Sequence, residues 1–442
     1  MRLESLLLKN IRLFGEPGCV VNFSREKNVT IILGDNGCGK TTILDSIATM
    51  VSPFLSHFPF APAKNFTVFD VHLDEVGRMA PYIAVEAHFR ANQGVRFVET
   101  RFRKGLQNAP ASYLKEIKDY AQFLKEQIVG NDPETALPVF AYYGTGRGQI
   151  SAPERKRNFQ KEFQRWDCYR SALNPSTDFK SFFAWFDLME DEERREQARR
   201  KDFGYRLPAL EAVRRALDTF VGEFYHSPRI ELHPLRFVMS QTGGEKTRTL
   251  RIEQLSDGYK IMVAMVADIA SRMAEANPYL PDPLLSTGII LIDEIDLHLH
   301  PKWQRRVVAQ LNRTFPNIQF ILTTHSPVIL SGASSIAQIV QLPDVLKDGD
   351  EYPAPQDLDT MDIGQILLSE LFGLPSLQAP RWDEDINRRN ALLAKSQLSY
   401  AEEAELEELK AKLAVLDCGD TPAAVKSEQL LSKIAEHLGI DL

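Results

Sequence analysis

The chain has 442 residues, of which 44% are hydrophobic and 25% charged, an ordinary globular composition with room for two to three domains. A formal net charge of −8 excludes a wholly basic nucleic-acid coat, and no apolar run approaches the roughly 18 residues of a membrane span. Cys19, Cys38, Cys168 and Cys418 lie far apart without a CxxC pair, so neither a zinc site nor a disulfide framework is indicated; with no signal-peptide pattern at MRLESLLLKNIRLF, a reduced cytoplasm is the expected location.

In chain order, residues 3–8 and 29–33 have the apolar, β-branched look of buried strands, separated by the basic turn KNIRLFGEP. The glycine-rich stretch GDNGCGKTT follows, and then a helix whose apolar spacing runs through Ile43, Leu44, Ile47, Met50 and Val51. Residues 82–103 alternate around Asn92-Gln93-Gly94 and predict a hairpin. PVFAYY (138–143) predicts another buried strand. From about 150 to 227 the pattern is helical, and 228–239 with 246–253 suggests one short hairpin. LSDGYK opens a helix, GIILIDEID is a strand, 302–314 a helix and 318–323 a strand. Beyond about 345 the chain turns proline- and acid-rich, as a linker does. Two tail helices are predicted after it, one capped by Ser399-x-x-Glu402 and carrying Leu406, Leu409, Leu413 and Leu416, the other starting at Thr421-Pro422.

Four motifs carry chemistry. Gly34–Thr41 matches GxxxxGK[ST] in full, between a strand and a helix, as a phosphate loop requires. Backbone N–H groups of Asn36, Gly37, Cys38, Gly39, Lys40, Thr41 and Thr42 would cradle phosphates, with the Lys40 ammonium on the β/γ-phosphates and the Thr41 hydroxyl on Mg2+. At Ile289–Glu294 four apolar residues end in two acids, where open α/β sheets bind ligands. Asp293 would hold Mg2+ and Glu294 would act as general base. Ser256 and Gly258, at a predicted helix start, form a second anion site, spare within one chain and useful if it closes on a nucleotide held by another. His325, after the strand ending Thr323-Thr324, is placed to sense a γ-phosphate. Cys38 is expected to be reactive, because backbone N–H groups favour thiolate.

The order phosphate loop, LSDG, hydrophobic-Asp-Glu, strand-His resembles that of ATP-binding cassettes over residues 1–345. The resemblance implies an α/β fold: an ABC-type ATPase head, a phosphate-loop NTPase with a mixed β-sheet core, an inserted helical lobe and a C-terminal helical tail. Its parts would be 1–147 (lobe I), 148–284 (helical lobe II with the signature), 285–345 (lobe I continued) and 346–442 (tail). EIDLHLHPKWQ (294–304) and KNIRLF (9–14) are similar to the soluble RecF/SMC/OLD-like branch rather than to transporter cassettes, which carry a glutamine after the signature. By this resemblance Asp296 lies in the dimer-contact turn, Arg12 lies near the nucleotide or DNA, and Gln149 is the switch glutamine that adds a ligand to Mg2+. The stretch 163–196, LFGLP at 371–375 and the capped tail resemble the ATPase family of the Septu anti-phage system, PtuA. That implies ATP and Mg2+ as cofactors, a homo-oligomer built from dimers and an HNH nuclease partner (PtuB-like), with no nuclease site in this chain and no membrane contact.

Other readings stay open from sequence. Arg155-Lys156-Arg157, with Lys161 and Arg165, is either a DNA-gripping patch or a solvated helix face interleaved with Glu154 and Glu162. The first would suit a RecF-like DNA-repair ATPase; a transporter subunit is the remote alternative. Trp166, Trp185 and Phe182 read as helical-lobe core, and the leucine stripe 406–416 reads equally as core or as a partner-binding face.

Overall fold

Strand burial and helix periodicity build most of the expected elements. The computed structural model describes residues 1–16, 18–59, 61, 63–91, 98–105, 111–130, 132–148, 164–175, 179–232, 235–241, 248–342, 358–395, 398–413 and 416. β1 (Arg2–Lys9) buries Leu3, Leu6 and Leu8 and pairs antiparallel with β2 (Cys19–Asn22). β3 (Val29–Leu33), buried throughout, runs into the glycine loop and α1 (Lys40–Leu55). β4 (Tyr82–Arg90) and β5 (Val98–Gly105) form the expected hairpin, with Tyr82 opposite Gly105, and complete an antiparallel sheet of order β2-β1-β4-β5.

α2 (Lys115–Val129) has no counterpart in the sequence reading, yet Ile117, Tyr120, Ala121, Leu124 and Ile128 make a regular helical stripe, all buried. β6 (Val139–Tyr143) follows. Among the described residues of the span read as helical, a 3₁₀ turn (Arg165–Tyr169) precedes α3 (Phe179–Arg200) and α4 (Pro208–Val221). Phe182 and Trp185 are core there, as expected, whereas Trp166 is only half-buried.

The predicted hairpin 228–239/246–253 is corrected to a three-stranded antiparallel sheet: β7 (Tyr225–Leu232), β8 (Leu235–Gln241) and β9 (Arg248–Arg251). Leu232 pairs with Leu235, so the chain reverses inside what reads as one strand. Pro234, which lacks the N–H of a continuing ladder, was the overlooked signal.

α5 (Asp257–Ala276), β10 (Gly288–Ile292), α6 (Pro301–Thr314), β11 (Ile318–Thr324), α7 (Pro327–Ala333) and β12 (Ala337–Gln341) finish this unit. The parallel sheet has the order β12-β3-β11-β10-β6. Every residue of β3, β6, β10 and β11 is buried, as a parallel sheet covered on both faces demands. Ile292 lies level with Tyr143 on one side and Leu322 on the other, so the acids after β10, the phosphate loop after β3 and the residues after β6 and β11 all emerge at one edge.

Residues Met1–Ala354 and Pro355–Leu442 are separate compact units. The second contains α8 (Ile363–Leu368), α9 (Asp383–Leu393) and α10 (Tyr400–Leu413). The expected cap is present: the Glu402 carboxylate accepts from Ser399 N–H (2.9 Å), and Ser399 Oγ accepts from Glu402 N–H (3.4 Å). Leu406 and Leu409 pack with Leu392 and Leu398 in the tail's own core, and Leu413 is buried too, which decides the stripe as core rather than as a free docking face. The predicted helix from Thr421, the basic cluster at Arg155–Lys161 and Gln149 lie outside the described residues.

Candidate active site

The phosphate loop closes on α1 through a backbone no substituted residue would accept. Gly39, the residue before α1, has φ +103°, and a Cβ there would meet the Phe14 ring at 2.7 Å. Asn36 and Gly37 are exposed at the loop tip, whereas Cys38, Gly39, Lys40 and Thr42 are buried. Lys40 Nζ donates to the carbonyls of Gly34 (2.7 Å) and Asp35 (2.8 Å). The expected thiolate at Cys38 is corrected: burial pushes its pKa up, outweighing the pull of the Lys40 ammonium.

Asp293 is the hub of the edge. It is 4% exposed; one carboxylate oxygen accepts from Thr41 Oγ1 at 2.9 Å and the other from Thr323 Oγ1 at 2.6 Å. Thr323 Oγ1 in turn accepts from the Glu294 N–H at 2.7 Å. Three neighbouring segments, from α1, β10 and β11, are thereby locked around one carboxylate. Glu294 is half-buried and sits at φ +47°, a left-handed conformation costing a non-glycine residue about 1 kcal/mol or more. His325, also half-buried, follows β11 directly. The following turn is tied down as well: Thr324 Oγ1 donates to Asp296, and Gln304 Nε2 donates to Leu299 O (3.0 Å) while its Oε1 accepts from Ser326 Oγ (2.7 Å).

Sequence reasoning missed Arg147 as a site residue. It is 1% exposed and donates to the carbonyls of Gly144 (3.0 Å), Asp293 (2.5 Å) and Glu294 (2.5 Å). A buried guanidinium thus fixes the backbone of both acids from behind; the only linear signal was a lone arginine among glycines after a buried strand. Asp45 was missed too. It accepts from Arg12 (2.9 Å), Lys64 (2.5 Å) and Tyr142 Oη (3.3 Å), and Arg12 also reaches Asp70 (2.8 Å). Arg12 is therefore held over α1, 3.5 Å from Thr42 Oγ1.

Ser256 and Gly258 are not brought to the phosphate loop. Ser256 stands exposed at the N-cap of α5 and its hydroxyl caps nothing. A Cβ on Gly258 would lie 2.7 Å from His298 O, so the helix start packs on the turn after Asp296. Behind it, Tyr259 meets Trp303 edge-on at 5.2 Å. Among the described residues no hydrogen bond joins Ser256 to residues 34–42.

Thr41 and Asp293 offer two adjacent hard oxygen donors, a set that suits Mg2+ completed by water and phosphate. Among the described residues, no helix is long and apolar enough to cross a membrane.

The chain is similar to known proteins. Residues 5–219 match the family "AAA domain", and residues 143–331 match "AAA domain, putative AbiEii toxin, Type IV TA system". The chain is 30% identical to the retron Ec83 probable ATPase of Escherichia coli over 409 residues, covering 80% of this chain and 73% of that protein. It is 28% identical to the retron Vc95 probable ATPase of Vibrio cholerae, covering 71% and 68%. Septu protein PtuA of Bacillus mycoides is 32% identical over 163 residues, 37% of this chain and 22% of that protein.

Proposed function

This chain belongs to the family of ABC-type AAA ATPases that includes the retron ATPases and Septu PtuA, and from that membership we propose that it works as an ATP-driven dimer controlling a partner in anti-phage defence. The observation that carries the reading is the locked carboxylate of Asp293 between Thr41 and Thr323, with Glu294 next in line.

In this reading the loop at Asn36–Thr42 holds the phosphates of ATP through backbone N–H groups and Lys40. Thr41, Asp293 and, by family resemblance, Gln149 hold Mg2+, which when bound neutralises phosphate charge. Glu294 takes the proton of the attacking water, and Arg147 keeps its backbone in place. His325, beside Glu294 at the sheet edge, reports whether the γ-phosphate is present. Arg12, anchored by Asp45 and Asp70, flanks the nucleotide. Ser256 and Gly258 complete the site of a second copy, so hydrolysis requires dimers, and the lobe boundaries near residues 147, 284 and 345 are those of a cassette head. The family likeness supports a nuclease partner of the HNH type and a cytoplasmic setting. The match to the retron ATPases spans about twice as much of the chain as the match to PtuA, so a retron-type partner is to be tested beside the Septu type.

The test is ATP hydrolysis by the purified chain and by E294Q, with mass determination in ATP plus Mg2+ and without nucleotide. The reading expects slow or absent turnover and an ATP-stabilised dimer in E294Q. Parent-rate hydrolysis in E294Q would remove the base role, and a chain that stays monomeric with ATP would remove the dimer.

A further inference from the structure

A second cavity, sharing no residue with the phosphate loop, opens between the end of α2, the 3₁₀ turn at Arg165–Tyr169, α3 and the end of α5, with a volume of about 490 Å3. That is the size of a small-molecule site. Trp166, Trp185, Tyr279 and Met189 line it. Trp185 is buried core, Trp166 is half-buried, and Tyr279 is 61% exposed at the rim.

Two charged residues, Arg165 and Glu275, line the same cavity. The Arg165 guanidinium donates to the carbonyls of Ala276 (2.9 Å), Asp132 (3.4 Å) and Thr135, and lies 5.7 Å from the Tyr279 ring centroid. No carboxylate among the described residues forms an ion pair with it. Glu275 is the opposite case. Its carboxyl has no hydrogen bond or ion pair among the described residues, because the nearby cations are engaged elsewhere: Arg272 with Asp268 (2.9 Å) and Arg170 with Asp167 (2.9 Å). Burial pushes Glu275 up to about 8, against the pull of Arg272 and with the help of Asp167 and Asp268. An acid so raised keeps its proton at neutral pH and offers one donor and one acceptor side by side, and Glu275 is among the residues that line the cavity.

We propose that this cavity binds a nucleobase, stacked on Trp166 and Tyr279 and paired through its hydrogen-bonding edge with Glu275. Aromatic walls serve any base, since each has a π-face. The edge that matches a neutral carboxylic acid is a ring nitrogen acceptor beside an amino donor, which adenine and cytosine present. Arg165 adds a positive charge that favours an attached phosphate. It already covers one face of the Tyr279 ring, and its charge repels an organic cation as occupant. The base comes either from a free nucleotide or from a single strand. The proposal is independent of the ATPase reading, because no residue is shared.

The test is titration of the full chain, followed by calorimetry and tryptophan emission, with adenosine, cytidine and uridine, which offer the phosphate loop nothing to grip, and with a short oligodeoxyadenylate. Saturable adenosine binding supports a free nucleotide, and binding of the oligonucleotide alone supports a strand. In either case E275L and W166L should each weaken binding about tenfold or more, while E275Q, whose amide again offers a donor and an acceptor, retains it. Melting temperatures identify any variant that fails to fold, and the E275Q/E275L contrast stands without W166L. No binding of any of these probes, undiminished binding in both E275L and W166L, uridine binding as tight as adenosine, or tetramethylammonium binding in preference to adenosine would each overturn the proposal.

Discussion

At the C-terminal edge of the parallel sheet, Asp293 is buried, accepts from two threonines and has Arg147 gripping the carbonyl behind it. At the start of α5, Ser256 is exposed and its hydroxyl caps nothing. Both places have the composition of a phosphate site, but only the first is organised by its own chain. Electrostatic catalysis gains most where dipoles are fixed before the substrate arrives. A polar helix start with free donors is instead suited to a ligand delivered from outside. The contrast is between a site completed within one chain and a polar helix start left open.

The largest expected effect falls on the completed half. E294Q should lower the turnover number by about 10²–10⁴-fold, the usual worth of a general base, with ATP binding retained in a filter assay. Next, R147M should destabilise the fold by about 3 kcal/mol, since three carbonyls lose a buried charged donor. Hydrolysis should fall in parallel, measured by thermal unfolding alongside turnover. S256R should behave in the opposite way. Its unfolding free energy should stay within ~0.5 kcal/mol of the parent, as at other exposed sites, while ATP-dependent dimer formation and hydrolysis drop about tenfold or more. Equal damage to stability from S256R and R147M would erase the distinction between the two ends.

A smaller effect comes from Glu275, which belongs to neither end. Its folded pKa of about 8 stands above the ordinary glutamate value of 4.5, so the folded state holds the extra proton. The stability this contributes is fully present below 4.5 and is lost as pH rises through about 8. The slope of melting temperature against pH in that window should flatten in E275Q. The smallest effect concerns Cys38: with its pKa raised by burial, alkylation near neutral pH should be slower than that of a free cysteine. Rapid modification there would restore the thiolate expected from the motif alone.

Much of the candidate site was legible because its signals are local. Gly34–Thr41 and Ile289–Glu294 each specify a short backbone path and its chemistry within ten residues. The buried parallel strands were legible for the same reason, since covering both faces leaves an unbroken apolar run. What escaped the reading is non-local. Arg147 looked like a loop residue, and only the pairing of β6 with β10 brings it behind Asp293 and Glu294. Asp45 looked like an ordinary helix acid, and only packing makes it the partner of Arg12, Lys64 and Tyr142.

The sequence by itself determined the phosphate loop, the acidic strand end, the strand-His, the order that defines the cassette and the capped tail helix, because each is a period or a spacing that neighbouring residues enforce. The tertiary structure alone decided that the Cys38 thiol is buried, that the tail leucines face one another, that 228–239 reverses into two strands and that Glu275, without an ion pair among the described residues, lines an aromatic cavity. Burial and the pairing of distant charges depend on what packs against a residue, and a linear sequence does not carry that information residue by residue.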